Sequence, residues 1–273
     1  MRRSCYFSLV VLSAVALFGI EALPAQDFRT RPCEGGQSSG GFLAHLFSQE
    51  RACEVRSATF GIGGGPLRIR GFNGSVEVVG EDRSDVALEA RLEVHARTEA
   101  AARSFLHEIS ILTDGTITAR GPKNDPHDWS ASYRLHVPRR LAVDIETSNG
   151  SMKLASLEGD IRAQTSNGSL SVSNLSGNVR LTTTNGSASV VLDGATWRGG
   201  GLAVRSTNGS MRVQMPAGYS AHLVARTTNG DVSGEFPNRR YGQPPNSLDT
   251  SVGRGGPTLD FDTTNGHIAF TAN

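Results

Sequence analysis

The chain has 273 residues, enough for one large domain or two ordinary ones with a buried core. Its 27 Lys and Arg balance 26 Asp and Glu, so no global field draws it to nucleic acid or anionic lipid. Only 6% of residues are aromatic and 32 are glycine, a mixture that excludes a helical bundle and suits short strands joined by tight turns.

Residues 1–25 read as a signal peptide. Arg2 and Arg3 supply a positive start, Tyr6 to Ile20 is a nearly uncharged apolar run, and Ala25 is a small residue at a cleavage point. A membrane anchor would need ~20 apolar residues, so the expectation is export with cleavage and no transmembrane segment left behind. The mature chain would then sit in the periplasm, on the outer surface or outside the cell.

Residues 26–66 read as a flexible leader. It carries Cys33 and Cys53, an even pair in an oxidising compartment, which predicts a disulfide rather than a zinc site. Closing a loop of this size is worth ~3 kcal/mol in the chain-entropy model. The bridge would tie down the Gly/Ser tract from Gly35 to Gly41, which precedes a short amphipathic piece from Phe42 to Phe47. Gly61 to Pro66 reads as a linker. With no strand expected before it and no helix after it, it is not a dinucleotide fingerprint.

Residues 67–140 form an N-terminal β portion. Leu67 to Arg70 alternates, Asn73-Gly74 turns and Val76 to Val78 alternates again. Val86, Leu88, Ala90, Leu92 and Val94 share one face of a strand. The period then changes: Ala101, Ala102, Phe105, Leu106 and Ile109 fall on one helical face, with Thr98 as N-cap. Strands resume at 109–112, 116–119 and 133–137, with a loop from Gly121 to Asp128.

Residues 141–273 repeat. Thr-Ser-Asn-Gly-Ser, or a close variant, recurs with its asparagine at Asn149, Asn167, Asn185, Asn208, Asn229 and Asn265. In the second unit Ile161, Ala163, Thr165 and Asn167 share one face, Leu170 and Val172 continue it after the turn, and the other face is polar. An antiparallel β-meander with Asn-Gly hairpins would satisfy this pattern but leave one apolar face uncovered. A β-solenoid of stacked ~18-residue coils buries that face by itself. It also explains the repetition, because equivalent asparagines ~4.8 Å apart would form a turn ladder in chain order, Asn185 between Asn167 and Asn208 and Asn265 at the open end, with inward amides satisfied by their own copies. The expected fold is all-β, a β-solenoid with one short helix, with residues 67–273 as one continuous domain.

The exported leader, the strands from Leu67 to Val78, the single helix, the Leu-His-Val-Pro before Leu141 and the Thr-Ser-Asn-Gly-Ser units together resemble the bacterial putative-adhesin domain family. That resemblance covers 67–273. It implies an exported surface or envelope interaction protein with a β-solenoid, and it brings no catalytic residues to carry over.

The sequence holds no Gly-x-Ser-x-Gly, Ser-x-x-Lys, His-Glu-x-x-His or P-loop motif, and its seven histidines are scattered. No cofactor, metal ligand or catalytic group is expected. The alternative is a carbohydrate-active enzyme, a polysaccharide lyase or hydrolase, which needs paired carboxylates or calcium-binding acids. Asp160, Asp193, Asp231 and Asp262 fall at different places in their units. Trp197, Tyr219 and Tyr241 lie in inter-strand loops, where aromatics can stack on sugars or cap an edge. The expected role is therefore a non-catalytic binding or structural module. Its partner would be a protein or glycan at the cell envelope, or a second copy of the chain, and not nucleic acid.

Overall fold

The computed structural model describes residues 28–33, 50–122, 128–236 and 244–272. The signal peptide, the Gly/Ser tract, the Phe42–Phe47 piece and Tyr241 lie outside the described residues.

Ahead of the Gly61–Pro66 linker are β1 (Arg29–Pro32) and β2 (Glu50–Gly61). After it come β3 (Leu67–Asn73), β4 (Val76–Glu81), β5 (Asp85–Ala96), α1 (Glu99–Glu108), β6 (Ser110–Leu112), β7 (Thr118–Arg120) and β8 (Asp128–Pro138). The repeats begin with β9 (Val143–Asn149), β10 (Met152–Ala155), β11 (Glu158–Asn167), β12 (Leu170–Ser173), β13 (Ser176–Asn185) and β14 (Ala188–Val191). They continue with β15 (Gly201–Asn208), β16 (Met211–Met215), β17 (Ala221–Asn229) and β18 (Val232–Ser233). The chain ends in β19 (Ser247–Val252), β20 (Thr258–Asn265) and β21 (Ile268–Ala272). The fold is all-β with one helix among the described residues, and no helix there is long and apolar enough to cross a membrane.

Two large sheets hold most strands. The order is β1-β2-β5-β8-β4-β10-β12-β14-β16-β21-β18 in the eleven-stranded sheet and β19-β17-β20-β15-β13-β11-β9-β3 in the eight-stranded one. Each Asn-Gly step carries the chain from the second sheet to the first. Thus β11 ends at Asn167 and lies parallel between β9 and β13, while β12 lies parallel between β10 and β14. Equivalent residues pair across units, Asn149 with Asn167 and Asn167 with Asn185.

The inward parity places Ile161, Ala163, Leu170 and Val172 in one continuous core with Leu181, Val204 and Phe261. Helix α1 buries Ala102, Phe105 and Leu106. The Thr98 hydroxyl accepts from the Ala101 N–H at 3.2 Å and caps its start. At its other end the Arg56 guanidinium donates to the carbonyls of Leu106, at 2.7 Å, and Ile109, completing groups that the helix leaves open.

Three expectations need correction. Part of the leader is not flexible: β2 pairs antiparallel with β5 along its whole length, Glu50 opposite Ala96 to Gly61 opposite Asp85, and β1 adds to β2. The strand was hidden because its buried residues are Ala52, Val55 and Ala58. They are small and recur every third residue, so no two-residue alternation shows. Consequently a strand does precede the glycine linker, although β3 rather than a helix follows it. Second, the units do not stack in chain order, since β20 lies between β15 and β17. Third, Asn167 breaks the inward parity of β11 and is exposed.

Candidate binding surface

At the corner where the sheets meet, the asparagines form a one-way ladder of side-chain amides. Each Nδ2 donates to the Oδ1 of the asparagine one unit earlier in the stack. The bonds run from Asn149 to Asn73 at 2.9 Å, Asn167 to Asn149 at 2.8 Å and Asn185 to Asn167 at 2.9 Å. They continue from Asn208 to Asn185 at 2.8 Å, Asn265 to Asn208 at 2.7 Å and Asn229 to Asn265 at 2.7 Å. The ladder is solvent-exposed, not inward. It begins one unit earlier than the repeat suggests, at Asn73, because Gly71-Phe72 stands there in place of Thr-Ser.

The buried polar row is the threonine two residues earlier. The hydroxyls of Thr165, Thr183, Ser206, Thr263 and Thr227 donate to the carbonyls of Gly150, Gly168, Gly186, Gly209 and Gly266, at 2.8–3.1 Å. The Thr147 hydroxyl, in the first of these units, has no partner among the described residues. The glycine after each asparagine is required by close approach: a Cβ on Gly168 would lie 2.1 Å from the Gly150 oxygen, and one on Gly186 2.0 Å from the Gly168 oxygen. The recurring Thr, Asn and Gly are thus all used in holding one unit on the next.

Trp197 and Tyr219, the described loop aromatics, are buried and present no stacking platform. Trp197 is 5% exposed and donates its indole N–H to the Gly177 carbonyl at 3.0 Å. Tyr219 is 3% exposed, and burial pushes its phenol up to about 12. Both belong to the core, and the one donor of Trp197 is satisfied inside. Cys33 and Cys53 are joined by a disulfide with Cα atoms 5.6 Å apart, near β1 and β2 and away from the repeats.

The four repeat acids have separate settings. Asp160 accepts from Asn178 at 2.8 Å, Asp193 accepts from the Gly194 N–H at 2.7 Å, and Asp231 contacts His267. Asp262 stands on the outward side of β20 between Arg205 and Arg226. Among the described residues no three His, Cys, Asp or Glu side chains gather as a metal site.

The outward side chains of the eight-stranded sheet behave differently from its corner. One column reads Arg70, Glu146, Gln164, Thr182, Arg205, Asp262 and Arg226, changing chemistry at nearly every unit. Beside it an open groove of about 790 Å³ crosses β9, β11, β13, β15 and β20. On the other sheet Glu77 is hydrogen-bonded by Lys153 at 2.9 Å and Arg134 at 3.0 Å, which hold its carboxyl below the usual carboxylate range.

No protein-family model and no curated protein matches the sequence. By structure the chain is similar to a putative cell adhesion protein from Clostridium sporogenes, with 11% identity over 82% of this chain and 100% of that one, at a TM-score of 0.41. It is also similar to a putative adhesin from Bacteroides fragilis, at 9% identity over 80% and 97% of the two chains with a TM-score of 0.38. A putative lipid binding protein from Parabacteroides distasonis shares 10% identity over 80% and 96%, with a TM-score of 0.27.

Proposed function

We propose that this chain is an exported, non-catalytic β-repeat module of the cell envelope or surface, wound as a β-solenoid, that binds a protein or glycan through its outward faces. The observation that carries this reading is a division of labour within each unit. Thr, Asn and Gly recur and are consumed in stacking, whereas the exposed positions between corners differ from unit to unit. A scaffold that repeats its joints and varies its face is built to present a surface. The parallel, in-register pairing of successive units supports coils over an antiparallel meander. The local partners of Asp160, Asp193 and Asp231 favour structural acids over a lyase or hydrolase pair.

The test is an array of glycans and envelope proteins probed with the mature chain, followed by product analysis with and without calcium. Saturable binding with no reducing ends or unsaturated products is expected. Turnover abolished by substituting any one of Asp160, Asp193, Asp231 or Asp262 would replace this reading with the enzyme.

A further inference from the structure

We infer that the groove across the outer face of the eight-stranded sheet is a binding site for a carboxylate-bearing glycan chain, held by Arg162 and Arg180. The inference rests on the binding-module reading and names the ligand class for one of its faces.

Arg162 and Arg180 occupy the same column of neighbouring parallel strands, paired in register. Strands lie ~4.8 Å apart, so two like charges stand side by side, an arrangement that is unfavourable across a strand pair. Several other arginines on these sheets meet carboxylates, among them Arg70 with Asp144 at 2.8 Å and Arg134 with Glu77 at 3.0 Å. Arg205 lies 3.9 Å from Asp260. Arg162 and Arg180 have no ion pair among the described residues: Asp144, in register beside Arg162 and also lining the groove, is held by Arg70 at 2.8 Å, and Arg162 reaches the Gln164 side-chain oxygen at 3.5 Å. Both are exposed, and both line the groove. An oxyanion placed between them would relieve the repulsion, and the guanidinium fork matches a carboxylate through two parallel N–H donors.

The rest of the groove selects the carrier. Beyond Arg180, its lining on β15 is Gly201, Leu202 and Ala203, and since Leu202 is buried in the core, no long outward side chain fills it there. Asp160 and Asn178, already bonded to each other, lie on one side, with Thr258 and Asp260 on the other. These are short donors and acceptors suited to the hydroxyls of a sugar ring. A protein partner would bring apolar or aromatic anchors, which need enclosed pockets, and this groove is open to solvent. A polymer of acidic sugars would run across the strands with its carboxylates on the arginine pair.

The experiment compares polygalacturonate with its methyl ester, a chain of the same sugars without the charge. The full mature chain is run in native gels containing increasing amounts of each polymer. Retardation by polygalacturonate is expected at a concentration at least tenfold lower than by the ester, with the difference shrinking as salt is raised. The double variant Arg162→Gln, Arg180→Gln should lose that preference while Arg120→Gln, which removes an exposed charge outside both large sheets, keeps it. Its melting temperature should be unchanged or higher, since like-charge repulsion is removed, and this separates lost binding from lost fold. Equal retardation by polymer and ester, or wild-type retardation of the double variant, would overturn the inference. So would flotation with anionic phospholipid vesicles in the absence of any polyuronate preference. Array binding to neutral glycans or proteins without polyuronate binding would overturn this inference and leave the binding-module reading standing. No saturable partner of any kind would overturn both.

Discussion

Replacing Asn265 with alanine should cost more than replacing Asn229, although Asn265 is the later residue in the chain. Asn265 sits inside the ladder, donating to Asn208 and accepting from Asn229, both at 2.7 Å. Asn229 makes only the second of these bonds. A net hydrogen bond contributes ~0.5–1.5 kcal/mol, so Asn265→Ala should lose about 1–3 kcal/mol and Asn229→Ala about half that. The lower parts of these ranges are expected, because the ladder faces water, which replaces some of what is lost. Double-mutant cycles read from urea melts give the sharper readout. The Asn208/Asn265 pair should show a coupling on the order of one bond, ~1 kcal/mol, and the Asn208/Asn229 pair should show none. Coupling between Asn208 and Asn229 with none between Asn208 and Asn265 would mean that the units stack in chain order, and the reasoning would be refuted.

Gly186→Ala should destabilise by about 3 kcal/mol or more, at or beyond the upper end of overpacking costs, because its new Cβ meets the Gly168 carbonyl oxygen at 2.0 Å. Gly64→Ala, where nothing lies within 4 Å, should stay within ~0.5 kcal/mol of wild type, and equal urea midpoints for the two would contradict the close-approach argument. Burial pushes the phenols of Tyr133 and Tyr219 up to about 12, against ~10 in an unfolded chain. A raised folded pKa means their contribution to stability is intact below pH ~10 and is lost as pH rises from there through 12. Ultraviolet titration of the mature protein should therefore show two tyrosines ionising late, and all three of its tyrosines titrating together near 10 would count against their burial. Replacing Cys33 and Cys53 with serine should raise proteolysis near β1 and β2 while leaving the repeat array's melting unchanged. An array that melts with the leader would show the two to be one cooperative unit.

Much of this architecture was readable from spacing alone. The two-residue alternation of Ile161, Ala163, Leu170 and Val172 set which side is buried. The change of period at Thr98 marked the helix together with its cap. What spacing could not show is where a strand stops obeying its alternation. Asn167 shares the parity of Thr165, yet the chain turns the corner between them, so the threonine hydroxyl takes the interior and the amide goes to solvent. The interchange of the last two units was equally hidden, because the order of identical joints leaves no mark on the joints themselves. Its one trace is length: Asn229 and Asn265 are 36 residues apart, against 18 between Asn167 and Asn185, room for β19 to run antiparallel along β17. Trp197 was ambiguous for a different reason. A glycine-rich loop gives no sign of whether its aromatic turns outward or donates to a main-chain carbonyl such as that of Gly177.

The account stands on units stacked in parallel with the last two interchanged, and engineered cysteine pairs test that most directly. Thr207 and Thr264 precede the paired Asn208 and Asn265 on neighbouring strands. Parallel neighbours ~4.8 Å apart fall within the Cα separation of 4.4–6.8 Å typical of a disulfide. With the Cys33–Cys53 bridge kept, Thr207→Cys/Thr264→Cys should close an intramolecular bond under mild oxidation, identified by peptide mass mapping. Thr207→Cys/Thr228→Cys, two strands apart at roughly 9–10 Å, should remain open. Closure of the second pair and not the first would put the units in chain order, and closure of neither would remove the parallel stack altogether.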